Sequence, residues 1–290
     1  MNKKSIFIGM LCFLLVFTVA CGKKEDEDVL KMGFVPLVDG DKLVESVEPL
    51  SDYLTEKLGR KVEAFTATNY VGVVEGLGSG EVDFGIIPPF AYVLANKESG
   101  AEVLLTSIND KGEAGYYSEI LVREDSGIEK IEDLRGKTIA FVDPSSTSGY
   151  LFPGAYLKEA GLDLEKDLNY TYSGGHDKSL QLILNGDVDA IATFEAVGLR
   201  YQEEFPTANE DLKTLVKTEM IPGISVTVSK DMDQETRTKL SDALEGISKD
   251  PETQELLVDL FGLHGFEKSS DADYEIIKKT AELMDVDLDK

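Results

Sequence analysis

The chain has 290 residues, and its 29 Lys and Arg against 55 Asp and Glu give it a formal net charge of −26 at pH 7. A surface this acidic repels nucleic acid and anionic lipid headgroups, so we exclude both as partners. A small anion is not excluded, but short-range hydrogen bonds in a cleft would have to hold it. The length suits one large α/β domain or two lobes of ordinary size.

The N-terminus has the pattern of an export signal. Lys3 and Lys4 precede an apolar run at 6–19, which is shorter than the roughly 20 residues of a membrane-spanning helix. The run ends in Thr-Val-Ala-Cys at 18–21, and it resembles a bacterial lipoprotein signal, although leucine is usual where Thr18 stands. The resemblance implies a signal peptide at 1–21, with Cys21 as the lipidated, palmitate-bearing residue. An ordinary signal peptide with an incidental cysteine is the alternative.

The segment after the signal predicts a tether. Residues 22–28 are almost wholly charged, which is typical of a solvated linker. The two cysteines, Cys12 and Cys21, lie in the signal and at the lipid site, so the mature protein has no disulfide. We therefore expect a protein on the outer face of the cell membrane, which it contacts through the lipid anchor only.

Strands and helices alternate through the body of the chain, and the alternation occurs twice. The first half predicts strands at 29–35, 62–66 and 82–87 and helices at 41–58 and 70–77. After Arg123 the pattern restarts, with strands at 138–142, 168–172 and 188–194 and helices at 146–161 and 178–184. Such alternation predicts βαβ units and mainly parallel sheets.

A short internal repeat supports two lobes. Gly-Glu-Val-Asp at 80–83 and Gly-Asp-Val-Asp at 186–189 each lie between an apolar helix and an apolar strand. The C-terminal part is predicted to be helical throughout. Asp233 caps a first helix, Asp250 and Pro251 open a second, and residues 274–284 form a third.

Three hydroxyl residues follow the strand predicted at 138–142. Ser146, Thr147 and Ser148 stand where this strand turns into a helix. The first turn of a helix has unpaired N–H groups and a partial positive charge, and with hydroxyl donors it can hold a tetrahedral oxyanion. The alternative is a helix N-cap, for which one hydroxyl is enough. Three in a row, followed by Gly149, favour the anion site.

A second strand-to-helix junction carries His176. It lies in Ser-Gly-Gly-His-Asp at 173–177, where glycines allow close approach and a histidine can donate to an oxyanion. His264, in a loop between predicted helices, is interpreted as structural. Tyr70 and Tyr116 stand at the ends of predicted elements, where packing alone is the simpler interpretation of each.

The sequence lacks the motifs of common catalysts. No Gly-x-Ser-x-Gly elbow, no His-Glu-x-x-His and no Gly-rich phosphate loop with its lysine is present. Two histidines and no spare cysteine argue against zinc. We expect no metal, no cofactor and no enzymatic activity, with a hydrolase built on Ser146 or Ser148 and His176 as the minor alternative.

Several motifs together resemble the phosphonate-binding proteins of ABC importers, a family that includes phosphite, hypophosphite and phosphate-like binders. The resemblance covers residues 30–266 and is sharpest in Ser-Thr-Ser-Gly-Tyr-Leu-Phe-Pro at 146–153. The supporting segments are 67–70, 115–118, 175–177, 193–195 and 221–223. The resemblance implies a two-lobed α/β periplasmic-binding-protein fold of type II, with the ligand in the cleft between lobes. We place lobe 1 at 29–116 and 225–290, and lobe 2 at 117–224.

The resemblance also implies roles for individual residues. The hydroxyls and amides of Ser146, Thr147 and Ser148 would hold the phosphonate oxygens, and the remaining members of this pocket would be Tyr70, Tyr116 and His176. In aminophosphonate binders two carboxylates hold the ligand ammonium. One matches Glu195, but Ile224 stands where the second is expected. The loss of that charged contact, roughly 1.5–3 kcal/mol, favours a ligand without an amine.

The predicted function is capture of a phosphorus oxyanion outside the cell and its delivery to the transmembrane subunits of an ABC permease. We expect a monomer. The alternative is a sensory lipoprotein that presents its closed form to a receptor, which the sequence does not distinguish from a transport protein.

Overall fold

The computed structural model describes residues 29–36 and 44–288. The signal at 1–21, the lipidation residue Cys21 and the tether at 22–28 lie outside these residues, as does the start of the helix predicted at 41–58.

Eleven strands occur in the described residues. They are β1 (Val29–Phe34), β2 (Lys61–Thr66), β3 (Phe84–Ile87), β4 (Glu102–Ile108), β5 (Gly115–Arg123), β6 (Thr138–Phe141), β7 (Asn169–Tyr172), β8 (Ala190–Phe194), β9 (Leu212–Pro222), β10 (Ser225–Val228) and β11 (Gly265–Lys268).

The α-helices of the same residues are α1 (Glu48–Leu58), α2 (Tyr70–Ser79), α3 (Pro89–Ser99), α4 (Phe152–Glu159), α5 (Leu164–Asp167), α6 (His176–Asn185), α7 (Val197–Arg200), α8 (Ala208–Asp211), α9 (Gln234–Ile247), α10 (Pro251–Phe261) and α11 (Glu275–Leu283). A π-helix (Thr147–Leu151) precedes α4, and 3-10 turns form at Glu124–Ser126, Ile131–Leu134 and Asp271–Tyr274.

The strands form two sheets, and each sheet is the centre of one lobe. The order in lobe 1 is β11-β4-β10-β3-β1-β2, and the order in lobe 2 is β7-β6-β8-β5-β9. In both, a central strand pairs in parallel with two neighbours, β1 with β2 and β3, and β6 with β7 and β8. The predicted two-lobed α/β architecture is confirmed.

The chain passes between the lobes at two adjacent places. It leaves lobe 1 between β4 and β5 and returns between β9 and β10. These crossings touch, since Gly115 pairs with Pro222 and the Gly223 amide donates to the Ala114 carbonyl at 3.2 Å. Two neighbouring crossings form a hinge about which the lobes can open.

The repeated Gly-acid-Val-Asp segments occupy equivalent positions in the two lobes. Gly80 and Gly186 both end a helix with a φ of 79°. The carboxylate of Asp83 accepts from the Lys31 amide at 2.7 Å, and that of Asp189 accepts from the Thr138 amide at 2.9 Å. Each aspartate thus joins the start of one strand to its parallel neighbour, β3 to β1 in lobe 1 and β8 to β6 in lobe 2.

Apolar side chains from both lobes share one core cluster. Val73 and Phe90 of lobe 1 pack in it with Leu151 and Phe152 of lobe 2, and Ile277 of α11 completes it. The lobes are therefore in direct contact, and we call this arrangement the closed form.

Two parts of the sequence-based assignment were wrong or incomplete. No helix was predicted between the strand at 82–87 and Arg123, but Pro89 is the first residue of α3, a position where proline's fixed φ suits a helix. The C-terminal part is not wholly helical, because β11 lies between α10 and α11. It is a short edge strand, and such strands have weak sequence patterns.

Candidate ligand-binding site

The loop after β6 is closed by its own polar groups. The Ser146 amide donates to the Asp143 carbonyl at 2.9 Å, and the Ser146 hydroxyl accepts from the Gly149 amide at 3.1 Å. Ser146 is thus the N-cap of the π-helix. One hydroxyl suffices for the cap, as expected, so the hydroxyls of Thr147 and Ser148 have other contacts. All three serine and threonine side chains are buried.

Two tyrosines from outside the loop reach these hydroxyls. The Tyr70 hydroxyl lies near Ser146, and the Tyr116 hydroxyl lies near Ser148 and Thr147, and these neighbours act to lower the pKa of each tyrosine. Burial raises the pKa of both tyrosines well above the usual value. Both phenols therefore keep their protons at any physiological pH and are available as neutral donors.

Thr147 connects the two lobes. Its Oγ1 accepts a hydrogen bond of 2.9 Å from the Phe90 amide, which lies in the first turn of α3 in lobe 1. Thr147 itself is the first residue of the π-helix in lobe 2. The first turns of two helices therefore meet at this hydrogen bond. Since each carries partial positive charge and unpaired N–H groups, this junction suits an anion.

His176 lies at the N-terminus of a third helix. It is the first residue of α6, after the N-cap Gly175. Its Nδ1 is 2.8 Å from the Thr193 hydroxyl, and its ring packs edge-on against Phe194 at 4.7 Å. Burial lowers the pKa of His176 to about 3, so the folded protein holds a neutral imidazole. When Thr193 donates to Nδ1, Nε2 carries the proton and is a donor.

This buried histidine makes stability depend on pH. The unfolded chain binds a proton on the ring below about pH 6.5, but the folded chain binds it only near pH 3. The contribution is fully present above pH 6.5 and is lost as the pH falls toward 3. We expect wild type to lose about 2 kcal/mol more than His176→Gln between pH 6.5 and 4.5. Urea unfolding of the ligand-free proteins measures this, and equal losses would mean that the ring is protonated when folded.

Glu195 is paired with a cation of the chain itself. Its Oε2 is 2.7 Å from Lys217 Nζ, and that ammonium lies 4.0 Å from the centroid of the Tyr117 ring. The Glu195 amide donates to the Tyr117 carbonyl at 2.9 Å, next to Tyr116. Glu195 lines a cavity of about 310 Å³ together with Glu119, a carboxyl whose pKa burial raises. No hydrogen bond joins its carboxylate to the hydroxyls of the loop among the contacts of the described residues.

Ile224 lies in the hinge and packs toward lobe 1. Its amide donates to the Ser107 hydroxyl at 2.9 Å, and its carbonyl accepts from the Ser107 amide at 2.8 Å. Its side chain is partly buried against the lobe 1 core around Leu105. The residue is therefore fixed by its backbone and by apolar packing.

Four further residues adjoin the candidate site and were not assigned to it from the sequence, although two of them, Ser118 and Thr193, lie in segments that carry the family resemblance. Phe90 contributes its amide, and the buried Ser118 donates to the Ser148 carbonyl at 2.7 Å. Thr193 orients His176. Tyr201 packs near Phe194, with ring centroids 6.4 Å apart, and after burial it is the largest influence that raises the pKa of Tyr70. For Phe90 the available signal was the pair of prolines before it, which is typical of a helix start.

The described residues contain no group of side chains placed to bind a metal ion. Nor does any helix among them combine the length and apolar composition that crossing a membrane requires.

Comparisons with known proteins show the family to which the chain belongs. A family model for the periplasmic phosphonate substrate-binding protein of ABC transporters matches residues 32–274. The phosphate-import protein PhnD of Mycolicibacterium smegmatis is 36% identical over 232 residues, 73% of this chain and 72% of that protein. The phosphonates-binding periplasmic protein of Escherichia coli is 28% identical over 97% of this chain and 85% of its own. A binding protein of an ABC phosphonate transporter from Pseudomonas aeruginosa has a similar structure, with a TM-score of 0.80, 26% identity and coverage of 87% and 85%.

Proposed function

We infer the function from family membership: the chain belongs to the periplasmic phosphonate substrate-binding proteins of ABC transporters. It is the substrate-binding protein of an importer for phosphonate, phosphite or phosphate. It works outside the cytoplasmic membrane, and it is a binding protein and not an enzyme.

We propose that the oxyanion binds where the N-termini of α3 and the π-helix meet. The observation that supports this most strongly is the Phe90–Thr147 hydrogen bond, which brings both helix ends to one buried point. The donors would be the hydroxyls and amides of 146–148, with Tyr70, Tyr116 and His176 around them. Each is neutral. Helix dipoles and hydroxyl donors, and no cationic side chain, would therefore stabilise the negative charge of the oxyanion. This agrees with the expectation that a strongly acidic protein holds an anion by short-range hydrogen bonds.

Ligand binding would be coupled to closure of the lobes. Thr147 and His176 belong to lobe 2, whereas Tyr70 and Phe90 belong to lobe 1. A ligand that contacts both sets binds the closed form more tightly than the open form, so it shifts the equilibrium toward closure. The closed form is then the form that the transmembrane subunits of the permease would receive.

Calorimetry with the purified protein tests the ligand class. Phosphite, phosphate, methylphosphonate and 2-aminoethylphosphonate are titrated into ligand-free protein. We expect saturable heat with at least one of them and none with sulfate at the same concentration. A folded, ligand-free protein that binds none of the four would overturn the proposed site.

The Glu195–Lys217 pair leads us to propose a ligand without an amine. An ammonium of the chain already neutralises this carboxylate, and the Tyr117 ring faces the same ammonium. A ligand amine would have to displace Lys217 and lose its own water to reach Glu195. Alkylphosphonate, phosphite and phosphate require no such exchange.

Lys217→Gln should change this selectivity. Glu195 would then have an unpaired charge, which attracts a ligand ammonium and repels the other ligands. We expect the affinity for 2-aminoethylphosphonate relative to methylphosphonate to rise about tenfold. Lys213→Gln is the control, because Lys213 lies on the same strand and pairs with Glu129 at 2.7 Å. An unchanged ratio in Lys217→Gln would place Glu195 outside the influence of the ligand.

We also propose a lipid anchor at Cys21 and the lobe boundaries given above. Metabolic labelling with palmitate should mark wild type but not Cys21→Ser, which would appear in the medium or periplasm. Sensing remains the second candidate function. Loss of oxyanion uptake in a deletion strain would support transport, and intact uptake with loss of a transcriptional response would support sensing.

A further inference from the structure

We infer that Arg200 sets the lifetime of the closed, ligand-bound state without touching the ligand. This inference rests on the proposed function in one respect, namely that ligand is held between the lobes. Arg200 is the last residue of α7 in lobe 2. Its Nη1 donates to the Asp259 carbonyl at 2.9 Å and its Nη2 donates to the Leu260 carbonyl, both in α10 of lobe 1.

The acceptors are the carbonyls that α10 leaves open. The last carbonyls of a helix have no intrahelical partner and carry partial negative charge. Gly262 ends α10 in the left-handed conformation, with its amide on the Val258 carbonyl, and the next amide reaches the Leu257 carbonyl. The cap therefore uses the carbonyls of 257 and 258. The guanidinium of Arg200 donates to the carbonyls of 259 and 260. The glycine cap and Arg200 together therefore provide hydrogen-bond donors for four consecutive carbonyls.

Both sides of this contact are fixed within their own lobes. In lobe 1, Leu257 is fully buried and the Phe261 ring stacks on Phe34 with centroids 5.5 Å apart. In lobe 2, Val197 holds α7 in the core with an exposure of 1%. When the hinge opens, α7 moves with lobe 2 and α10 stays with lobe 1, so the two helices separate. The contact therefore exists only in the closed form and stabilises that form alone.

The position of Arg200 separates it from ligand recognition. It is exposed, and α7 begins three residues after Phe194, whose ring packs on His176. The protein hydroxyls proposed to bind the ligand, at 146–148, belong to a different segment of the chain. Removal of Arg200 should accordingly speed opening and leave the encounter of ligand with the open form unchanged. The contact is exposed to solvent, so we expect a three- to tenfold effect.

Closure can be followed by energy transfer between two dyes. Cys21→Ser removes the one cysteine of the mature chain, and Glu56→Cys in lobe 1 with Asp125→Cys in lobe 2 provide labelling sites, since these side chains are 82% and 88% exposed. The probe ligand is methylphosphonate, or whichever of the four oxyanions calorimetry shows to bind. Opening is measured after dilution from saturating ligand, and the closed fraction is measured also without ligand.

We expect Arg200→Ala to release ligand three- to tenfold faster, with an unchanged association rate and an unchanged melting temperature of the ligand-free protein. Arg135→Ala is the matched control, because Arg135 donates to the Gly161 carbonyl at 2.9 Å within lobe 2. A wild-type release rate in Arg200→Ala would overturn the inference, as would equal effects of both variants. If no oxyanion binds, the proposed function fails. The inference is then judged on the ligand-free closed fraction, which Arg200→Ala should lower.

Discussion

Thr147→Val should lower the affinity for the bound oxyanion at least a hundredfold. Thr147 is fully buried, and its Oγ1 accepts from the Phe90 amide across the lobes. Valine has nearly the same shape, but it leaves that amide without a partner when the lobes close. It also removes one of the protein hydroxyls that would donate to the bound oxyanion. Each loss costs about 1–3 kcal/mol, and at the middle of that range the two together correspond to about three decades of affinity.

The same substitution separates binding from folding. In the open form water can reach the Phe90 amide, so the melting temperature of ligand-free Thr147→Val should stay close to that of wild type. Thr147→Ser keeps the hydroxyl and should bind within a few-fold of wild type. Calorimetry and thermal melting measure both quantities. A lower melting temperature with intact affinity would show that Thr147 is a structural residue only.

Local patterns in the sequence were sufficient for the parallel part of each sheet. The strands β1, β2, β3, β6, β7 and β8 all begin and end within two residues of their predicted bounds. Four of them, β1, β3, β6 and β8, are inner strands with mostly buried residues, and such apolar runs are easy to identify. The edge strands β2 and β7 are more exposed, and their places in the strand–helix alternation identified them. The predicted caps at Asp233 and Asp250 also accept from amides of the first turns of α9 and α10. These features depend on residues that are neighbours in the chain.

The antiparallel strands and the hinge could not be predicted in the same way. In β9 buried and exposed residues follow no clean alternation, because its pairing with β5 shifts register twice. Similarly, β10 is a fully buried run of four residues whose partners, β3 and β4, are more than 100 residues away in the chain. Such strands are defined by their partners, which one sequence does not specify.

The candidate site likewise has residues that local sequence patterns predict and residues that only the fold brings together. The hydroxyls at 146–148 and His176 were found because each follows a strand and opens a helix, which is a local signal. The Phe90 amide was missed because a backbone group has no signature of its own. The Lys217 partner of Glu195 lies 22 residues away in the chain, on β9, so only the folded sheet reveals the pair.

Gly149→Ala should disrupt the site by overpacking. A Cβ at Gly149 would lie 2.5 Å from Cβ and Cγ2 of Val142, which is fully buried, and 2.8 Å from the Ser146 hydroxyl. Neither neighbour is the end of a flexible chain. The π-helix would have to move away from β6, and this would break the Gly149–Ser146 cap. We expect a cost of about 2–4 kcal/mol, a melting temperature lower by roughly 5–10 °C, and loss of measurable binding.

Gly154→Ala provides the comparison that isolates packing at the loop. Its Cβ would lie 2.6 Å from Met284 Cε, the end of a flexible side chain that can turn aside. Alanine also favours the helix by up to about 1 kcal/mol over glycine. Gly154→Ala should therefore keep wild-type stability and affinity. If Gly149→Ala also kept wild-type stability and affinity, the loop would have room to adjust. The close packing of the π-helix on Val142 would then not be the contact that positions the three hydroxyls.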